Sequence, residues 1–336
     1  MPRAFGVFGS SLPSVRLSPD ADAPAGRPYL IFRLGSLARI VMKRGMKLPL
    51  LAVPFGLAFS LLCMCMTTQA ADPTIALNLR TRGKADNVRP TEKRVSWDVK
   101  KTAIIVCDMW DDHWCKSASR RVGEMAGPLN ETLRVAREKG IFVIHAPSTC
   151  VDFYKDTPQR KRAQTAAFHA LPKPLAETPR WGTGWCWTDP KHESVLPIDD
   201  SDMGCDCHDK CVIRDAWKRQ IATIEIGAND AISDNAQEVW NLLAERGIEN
   251  VILSGVHLNM CVLGRPFGIR QMTYFGRNVA LMRDMTDTMY NPDRPPGVSH
   301  FQGTDLVVQH VEKFWCPSFL SSDLTGKPAF KFAGAK

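Results

Sequence analysis

Three side chains capable of acid–base or nucleophilic chemistry stand just beyond short apolar runs: Asp108 after "AIIVC", Cys261 after "VILSGVHLNM" and Asp284 after "VALMR". In an α/β sheet, ligands collect beyond the carboxyl ends of the strands. A cysteine that opens a helical stretch is biased toward thiolate by the partial positive charge of the helix end. A nearby carboxylate can take its proton and later deliver it to a leaving group. Backbone N–H groups in the preceding turn can hold a developing oxyanion. Residue type alone leaves a second reading of Cys261 open, that of a small apolar side chain packed in a core. His257, Asn259 and Met260 share its loop and are pocket candidates. His257 would be a wall or a strand cap, and Asn259 a donor to a substrate carbonyl. Asp284 and Asp287 are read as holding turns.

The elements that must position these residues alternate along the chain. "TAIIVC", "IFVIHAP", "QIATIEI", "IENVILSG" and "NVALMRD" have strand character, and "GTDLVVQHVEKFWC" ends the series with a last strand-like run. Between them, "VGEMAGPLNETLRVAREKG", "SDNAQEVWNLLAERG" and "MCVLGRPFGIRQMTYFG" have helical spacing. The second has Ser233 or Asp234 as its N-cap. Strands separated by helices predict a parallel β-sheet with helices on both faces, an α/β fold. The domain is expected over residues 101–320, after an extended arm at 71–100 and before a tail at 321–336. Residues of about 150–215 break the alternation with five cysteines, several prolines and "WGTGWCW". They are read as an insertion covering one end of the sheet. Its Trp181, Trp185 and Trp187 would wall a pocket or anchor the insertion.

The 336 residues are 44% hydrophobic and 23% charged, the balance of a globular chain. The net charge of +8 is concentrated at the front, where residues 1–70 carry eight Lys/Arg against two Asp/Glu. The remainder has no electrostatic footprint for nucleic acid. Met46-Lys47, the apolar "LPLLAVPFGLAFSLLCMCM" and the small-residue exit "TTQAAD" read as a signal peptide cut after Ala70, with Met42 or Met46 as the true start. The expectation is a periplasmic or secreted protein with no stable membrane insertion after cleavage. An uncleaved anchor is the rival reading, and a lipid at Cys63 is disfavoured by the bulk of Leu62. Nine of the eleven cysteines lie beyond this leader, and in an oxidising compartment disulfide bonds are expected among them.

At "AIIVCDMW", "EKGIFVIHAPS", "AERGIENVILSGVHLNMCVLGRPFGIRQM" and "NVALMRDMTD" the chain resembles the isochorismatase-like cysteine hydrolases, which include nicotinamidases. The resemblance runs from about residue 100 to 315, interrupted by the insertion. It implies a three-layer sandwich and hydrolysis of an amide or related C–N bond of a small molecule. It implies Asp108 as general acid and base, and Cys261 as nucleophile through a thioester. It also implies a cis peptide at Val256–His257 and an oxyanion hole that includes the Cys261 N–H. The family's catalytic lysine has no counterpart. Its position falls in "IATIEIGANDAISDN", at Glu225 or Ile226, and no Lys or Arg lies between Arg219 and Arg246. Lys218 or Arg265 would have to supply the cation from elsewhere; without one, a degenerate, purely binding member is the alternative. The family often forms homo-oligomers, but no segment identifies an interface. No cofactor is expected. A metal would fall to Asp111, His113 and His145, or to "CDCHDKC" (Cys205 to Cys211), where disulfides are the preferred reading.

Overall fold

A computed structural model describes residues 73–335 apart from 86–88, 177, 181–182 and 210. The signal peptide, its start and cleavage site, Cys63, Cys65 and Trp181 lie outside the described residues. No helix among those described is long and apolar enough to cross a membrane.

Among the described residues, ten strands and six α-helices follow in chain order. β1 (Thr74–Thr81), β2 (Thr91–Asp98) and β3 (Thr102–Cys107) precede α1 (Lys116–Lys139) and β4 (Phe142–Ala146). The insertion holds α2 (Pro158–Thr165), β5 (Thr178–Arg180) and β6 (Thr183–Trp185). Then come β7 (Ala231–Ile232), α3 (Ala236–Glu245), β8 (Asn250–Val256), α4 (Ile269–Tyr274), β9 (Asn278–Asp287), α5 (His300–Phe314), β10 (Ser318–Phe319) and α6 (Ser322–Thr325). Eight strands form one sheet in the order β2-β1-β10-β9-β8-β3-β4-β7. From β10 to β7 every pairing is parallel, while β1 and β2 close one edge antiparallel.

β3 sits near the middle and is buried at all six positions, as a strand covered on both faces must be. Its alternate residues feed two cores. Ile104 and Val106 pack with Val122, Met125, Leu129 and Leu133 of α1. Ala103, Ile105 and Cys107 pack toward Val239 and Leu243 of α3, Phe267, and Val307 and Val311 of α5. The fold is therefore the expected α/β type, a largely parallel sheet between two helical layers.

Four local expectations are corrected. The arm at 71–100 is a hairpin of sheet strands rather than a free extension, with β1 paired to β2 from Thr74↔Asp98 to Thr81↔Thr91. "QIATIEI" forms no strand; the edge strand beside β4 is the two-residue β7 that follows it. "GTDLVVQHVEKFWC" lies mostly in α5, whose start carries a capping box between Ser299 and Gln302. The N-cap of α3 is Asn235, one residue beyond Asp234 and two beyond Ser233.

The expected disulfides are not formed: no two cysteines are bridged among the described residues. The insertion is instead held by a buried ionic knot. Glu193 accepts from Arg270 Nε at 2.8 Å and Nη2 at 3.0 Å, from His310 Nε2 at 2.8 Å and from Trp315 Nε1 at 2.8 Å.

Candidate active site

Asp108 stands one residue past the end of β3. Its N–H continues the β3–β4 ladder by donating to the Ala146 carbonyl at 3.1 Å, and its own carbonyl accepts the Trp110 N–H at 2.8 Å. The turn puts Asp108 at φ 47°, a left-handed conformation that aspartate adopts more readily than most residues. The carboxylate is fully buried, and the Ser148 N–H donates to Oδ1 at 2.6 Å. Oδ2 has no hydrogen-bond partner among the described residues.

Cys261 is delivered by β8. Gly255 near that strand's end has φ +98°, and a Cβ there would sit 2.0 Å from the Cys107 carbonyl oxygen; only glycine allows β8 to approach β3 so closely. The Val256–His257 peptide is cis. A π-type turn, Leu258–Val262, then carries Cys261 over the end of β3, where its thiol meets Asp108.

The cation at this pair is Arg265. Four residues beyond Cys261, just past the helical turn, its N–H closes on the Cys261 carbonyl at 2.9 Å and its side chain returns toward the thiol. Its Nε lies 3.7 Å from Asp108 Oδ2, and its guanidinium is close enough to interact with the Cys261 sulfur. Trp185 stacks on it at 4.2 Å and Thr183 Oγ1 accepts from Nη1 at 3.0 Å, so two insertion residues fix its orientation. Nε itself has no hydrogen-bond partner among the described residues.

Burial dominates the electrostatics. It pushes the Asp108 carboxyl above its usual range, opposed by Arg265 and by hydrogen bonds from Cys261 and Ser148. Burial likewise pushes the Cys261 thiol up, reinforced by the charge of Asp108 and opposed by Arg265. Arg265 loses solvation in turn, but the negative charge available at Cys261 and Asp108 outweighs that loss. Burial thus favours the protonated thiol at Cys261, with the Asp108 carboxyl beside it under the field of a fixed cation.

Glu225 and Ile226, the sequence-based positions for a third residue, do not reach this site. The Glu225 N–H donates to Asn130 Oδ1 and its carbonyl accepts from Arg137, which places the segment against α1. The physical reason is the absence of a strand there: the chain turns through Gly227–Asp230 before it joins the sheet at β7. Lys218 is also elsewhere, exposed, with its N–H on Asp111 Oδ1 at 2.9 Å.

Above Cys261 opens a cavity of about 630 Å³, within the range of small-molecule sites. His257 and Met260 line it, together with Trp110, His113, Trp114, Trp217 and insertion residues that include Thr183, Trp185 and Met203. Trp217 stacks on Trp110 at 4.2 Å, and His113 meets His257 edge-on at 5.0 Å. Burial lowers His113 to about 4 and keeps it neutral near pH 7; His257 is driven down the same way. Asn259 does not line the cavity. Its amide is spent on Asp200 Oδ2 at 2.8 Å, the Met289 carbonyl at 3.0 Å and the Met289 N–H at 2.9 Å, so it is a strut between loops.

Asp111, His113 and His145, the first of the sequence-based metal sets, are not gathered. Asp111 caps the backbone of Lys218 and Arg219, and His145 is bonded to Gln220 at 2.9 Å and Asp230 at 2.9 Å. Asp284 holds Ser321 and Phe330, and Asp287 pairs with Arg121 at 2.6 Å and His300 at 2.8 Å. Sequence reasoning passed over Trp110, Trp217 and Thr183, whose positions depend on loops with no periodic signal. Arg265 did carry one, its spacing of four from the cysteine.

No family model matches the chain, and no curated protein matches it. Among solved structures, a cysteine hydrolase from Pseudomonas syringae pv. phaseolicola 1448A is similar at 16% identity and a TM-score of 0.40, over 68% of this chain and 93% of that one. An isochorismatase from Pseudomonas putida KT2440 is similar at 12% identity and a TM-score of 0.39, over 67% and 90%. The N-carbamoylsarcosine amidase of Thermoplasma acidophilum is similar at 14% identity and a TM-score of 0.32, over 57% and 87%. The likeness is distant throughout, and the chemistry of the site stands on the geometry of Cys261, Asp108 and Arg265.

Proposed function

We propose that the protein is an exported cysteine hydrolase that cleaves an amide or related C–N bond of a small molecule through a thioester on Cys261. The observation that carries this reading is the meeting of a buried thiol, a buried carboxylate with a free oxygen and a buried guanidinium at the floor of a cavity. A structural cysteine has no need of either partner, and burying both charges is costly unless they act.

In the first half-reaction the thiol proton moves to Asp108 as sulfur attacks the carbonyl carbon. The C–N bond then breaks, and Asp108 gives the proton to the departing nitrogen. In the second half, water attacks the thioester while Asp108 takes its proton and returns it to sulfur, releasing the acid. Arg265 offsets the negative charge that passes among sulfur, carboxylate and oxyanion. The tryptophan-rich walls suit a substrate with a planar or apolar body. A purely binding role would be favoured by a site without a cation, and Arg265 supplies one.

The test is a panel of small primary amides and ureides, followed by intact-mass analysis under rapid acid quench. An acyl adduct on Cys261 is expected, with turnover abolished in a folded Cys261→Ala variant. Undiminished turnover in that variant would overturn the mechanism.

A further inference from the structure

A second group of side chains, outside the chemistry at Cys261, has the composition and spacing of an ion site. Cys115 ends the loop before α1, whereas Cys205 and Cys207 belong to the insertion, yet the three sulfurs lie within 4.8 Å of one another. It is the one such cluster of metal-type donors among the described residues. We propose that Cys115, Cys205 and Cys207 bind a zinc ion that fastens the insertion to the start of α1 at the rim of the cavity.

The distances favour an ion over a bridge. With Zn–S bonds of about 2.3 Å, a tetrahedral site sets its sulfurs about 3.8 Å apart, and Cys115 and Cys207 are 3.9 Å apart. A disulfide would need about 2.05 Å and would leave the third thiol of the cluster without a role. Three thiolates form a soft donor set, suited to zinc and unsuited to magnesium or calcium.

The surroundings are those of an ordered thiolate site. The Ser117 N–H and hydroxyl reach the Cys207 sulfur at 3.2 and 3.1 Å. Such outer contacts orient ligand atoms and disperse their negative charge. Arg121, which bonds Asp206 at 2.8 Å, places a guanidinium beside the set. Its Nη2 is buried with no hydrogen-bond partner among the described residues. Cys211 completes a Cys-x-Cys-x3-Cys run with Cys205 and Cys207, which makes it a candidate fourth ligand from the same loop. Asp206 Oδ1, 3.9 Å from the Cys115 sulfur, is the alternative fourth donor.

The consequence is architectural. His113 and Trp114 directly precede Cys115, and Met203 and Ile213–Trp217 flank the other three cysteines; all of them but Ala216 line the cavity. One ion would thus tie two walls together. The inference does not depend on hydrolysis at Cys261.

Full chain purified in zinc-replete, thiol-reducing buffer should contain roughly one equivalent of zinc by plasma mass spectrometry. Exchange for cobalt(II) should give sulfur-to-cobalt charge-transfer bands and the visible bands of a tetrahedral ion. Cys205→Ser with Cys207→Ser should abolish both, and Cys316→Ser should leave both intact. Should the double variant fail to fold, alkylation of the unaltered chain decides: zinc should protect Cys115, Cys205 and Cys207, and chelation should remove that protection. The proposal fails if the chain is metal-free, if the cobalt bands survive the double substitution, or if chelation leaves labelling unchanged. A non-reducing peptide map that joins Cys115 to Cys205 or Cys207 would overturn it as well.

Discussion

Arg265 decides whether the Cys261 pair can work, because both of its partners are buried and burial raises both of their pKa values. Removing the cation with Arg265→Gln should lower kcat/KM by about 10²–10³, the usual cost of losing one preorganised charge donor. Arg265→Lys should restore only part of it, since an ammonium lacks the planar fork that stacks on Trp185 and bonds Thr183. A rate for Arg265→Gln equal to that of the unaltered protein would remove Arg265 from the machinery. The pH profile makes a second test. Proton transfer from Cys261 needs Asp108 ionised, so activity falls as pH drops through the carboxyl pKa. Burial raises that pKa, so the acid limb of kcat/KM should lie above the ordinary aspartate range. Arg265 pulls it down, so Arg265→Gln should move the limb to still higher pH. A limb that stays in place, or moves down, would contradict the assignment.

Among the elements, β3 and β8 lead to Asp108 and Cys261, the two side chains proposed to react, and their separation is set where Gly255 passes the Cys107 carbonyl. Gly255→Ala combines a strained positive φ with a 2.0 Å approach to backbone. Strain alone should cost about 1–3 kcal/mol, and displacement of β8 should reduce alkylation of Cys261 further than the stability loss explains. Thermal melts and labelling rates at a temperature where both proteins are folded would separate the two effects; an unchanged melting temperature would refute the packing argument. β3, β4, β8 and β9 were legible because each contains a short apolar run ending at a polar residue, glycine or proline. α5 was not. Its Val307-Val308 pair and flanking apolar residues resemble a strand locally, whereas burial at Thr304, Val307, Val308 and Val311 follows helical spacing. "QIATIEI" misled in the opposite sense: Ile221 and Ile224 pack into the core from a turn, so apolar character there reflects burial without a ladder.

At the scale of the whole molecule, Glu193 is a buried ionic anchor that joins the insertion to α4 and α5. Burial alone would raise its pKa, but His310 and Arg270 outweigh that and hold it down at about 2. A carboxyl depressed on folding contributes stability that is complete above its unfolded value near 4 and is lost as pH falls toward 2. The stability gap between the unaltered protein and Glu193→Gln should therefore be widest at neutral pH and shrink between about pH 4 and pH 2. Glu193→Ala, which strands buried Arg270, should cost about 3–5 kcal/mol at pH 7. Denaturant titrations across that range would check both, and a gap that grows on acidification would refute the knot. Loss of this anchor should also weaken the cavity, because Thr183 and Trp185, which orient Arg265, belong to the same insertion.

The sequence by itself determined the α/β class, the central strands and the two side chains, Asp108 and Cys261, that their ends present. These features follow from local periodicity and from the stops that end each strand, which a linear reading can see. Tertiary structure decided the rest: that Arg265 supplies the cation instead of Glu225 or Ile226, and that Asn259 is a strut. It also decided that the insertion is pinned by Glu193 and that Cys115 meets Cys205 and Cys207. Each depends on loops crossing from distant parts of the chain, where no periodic pattern ties one residue to its partner. Contacts of that kind are set by packing in three dimensions, and only the folded chain brings them together.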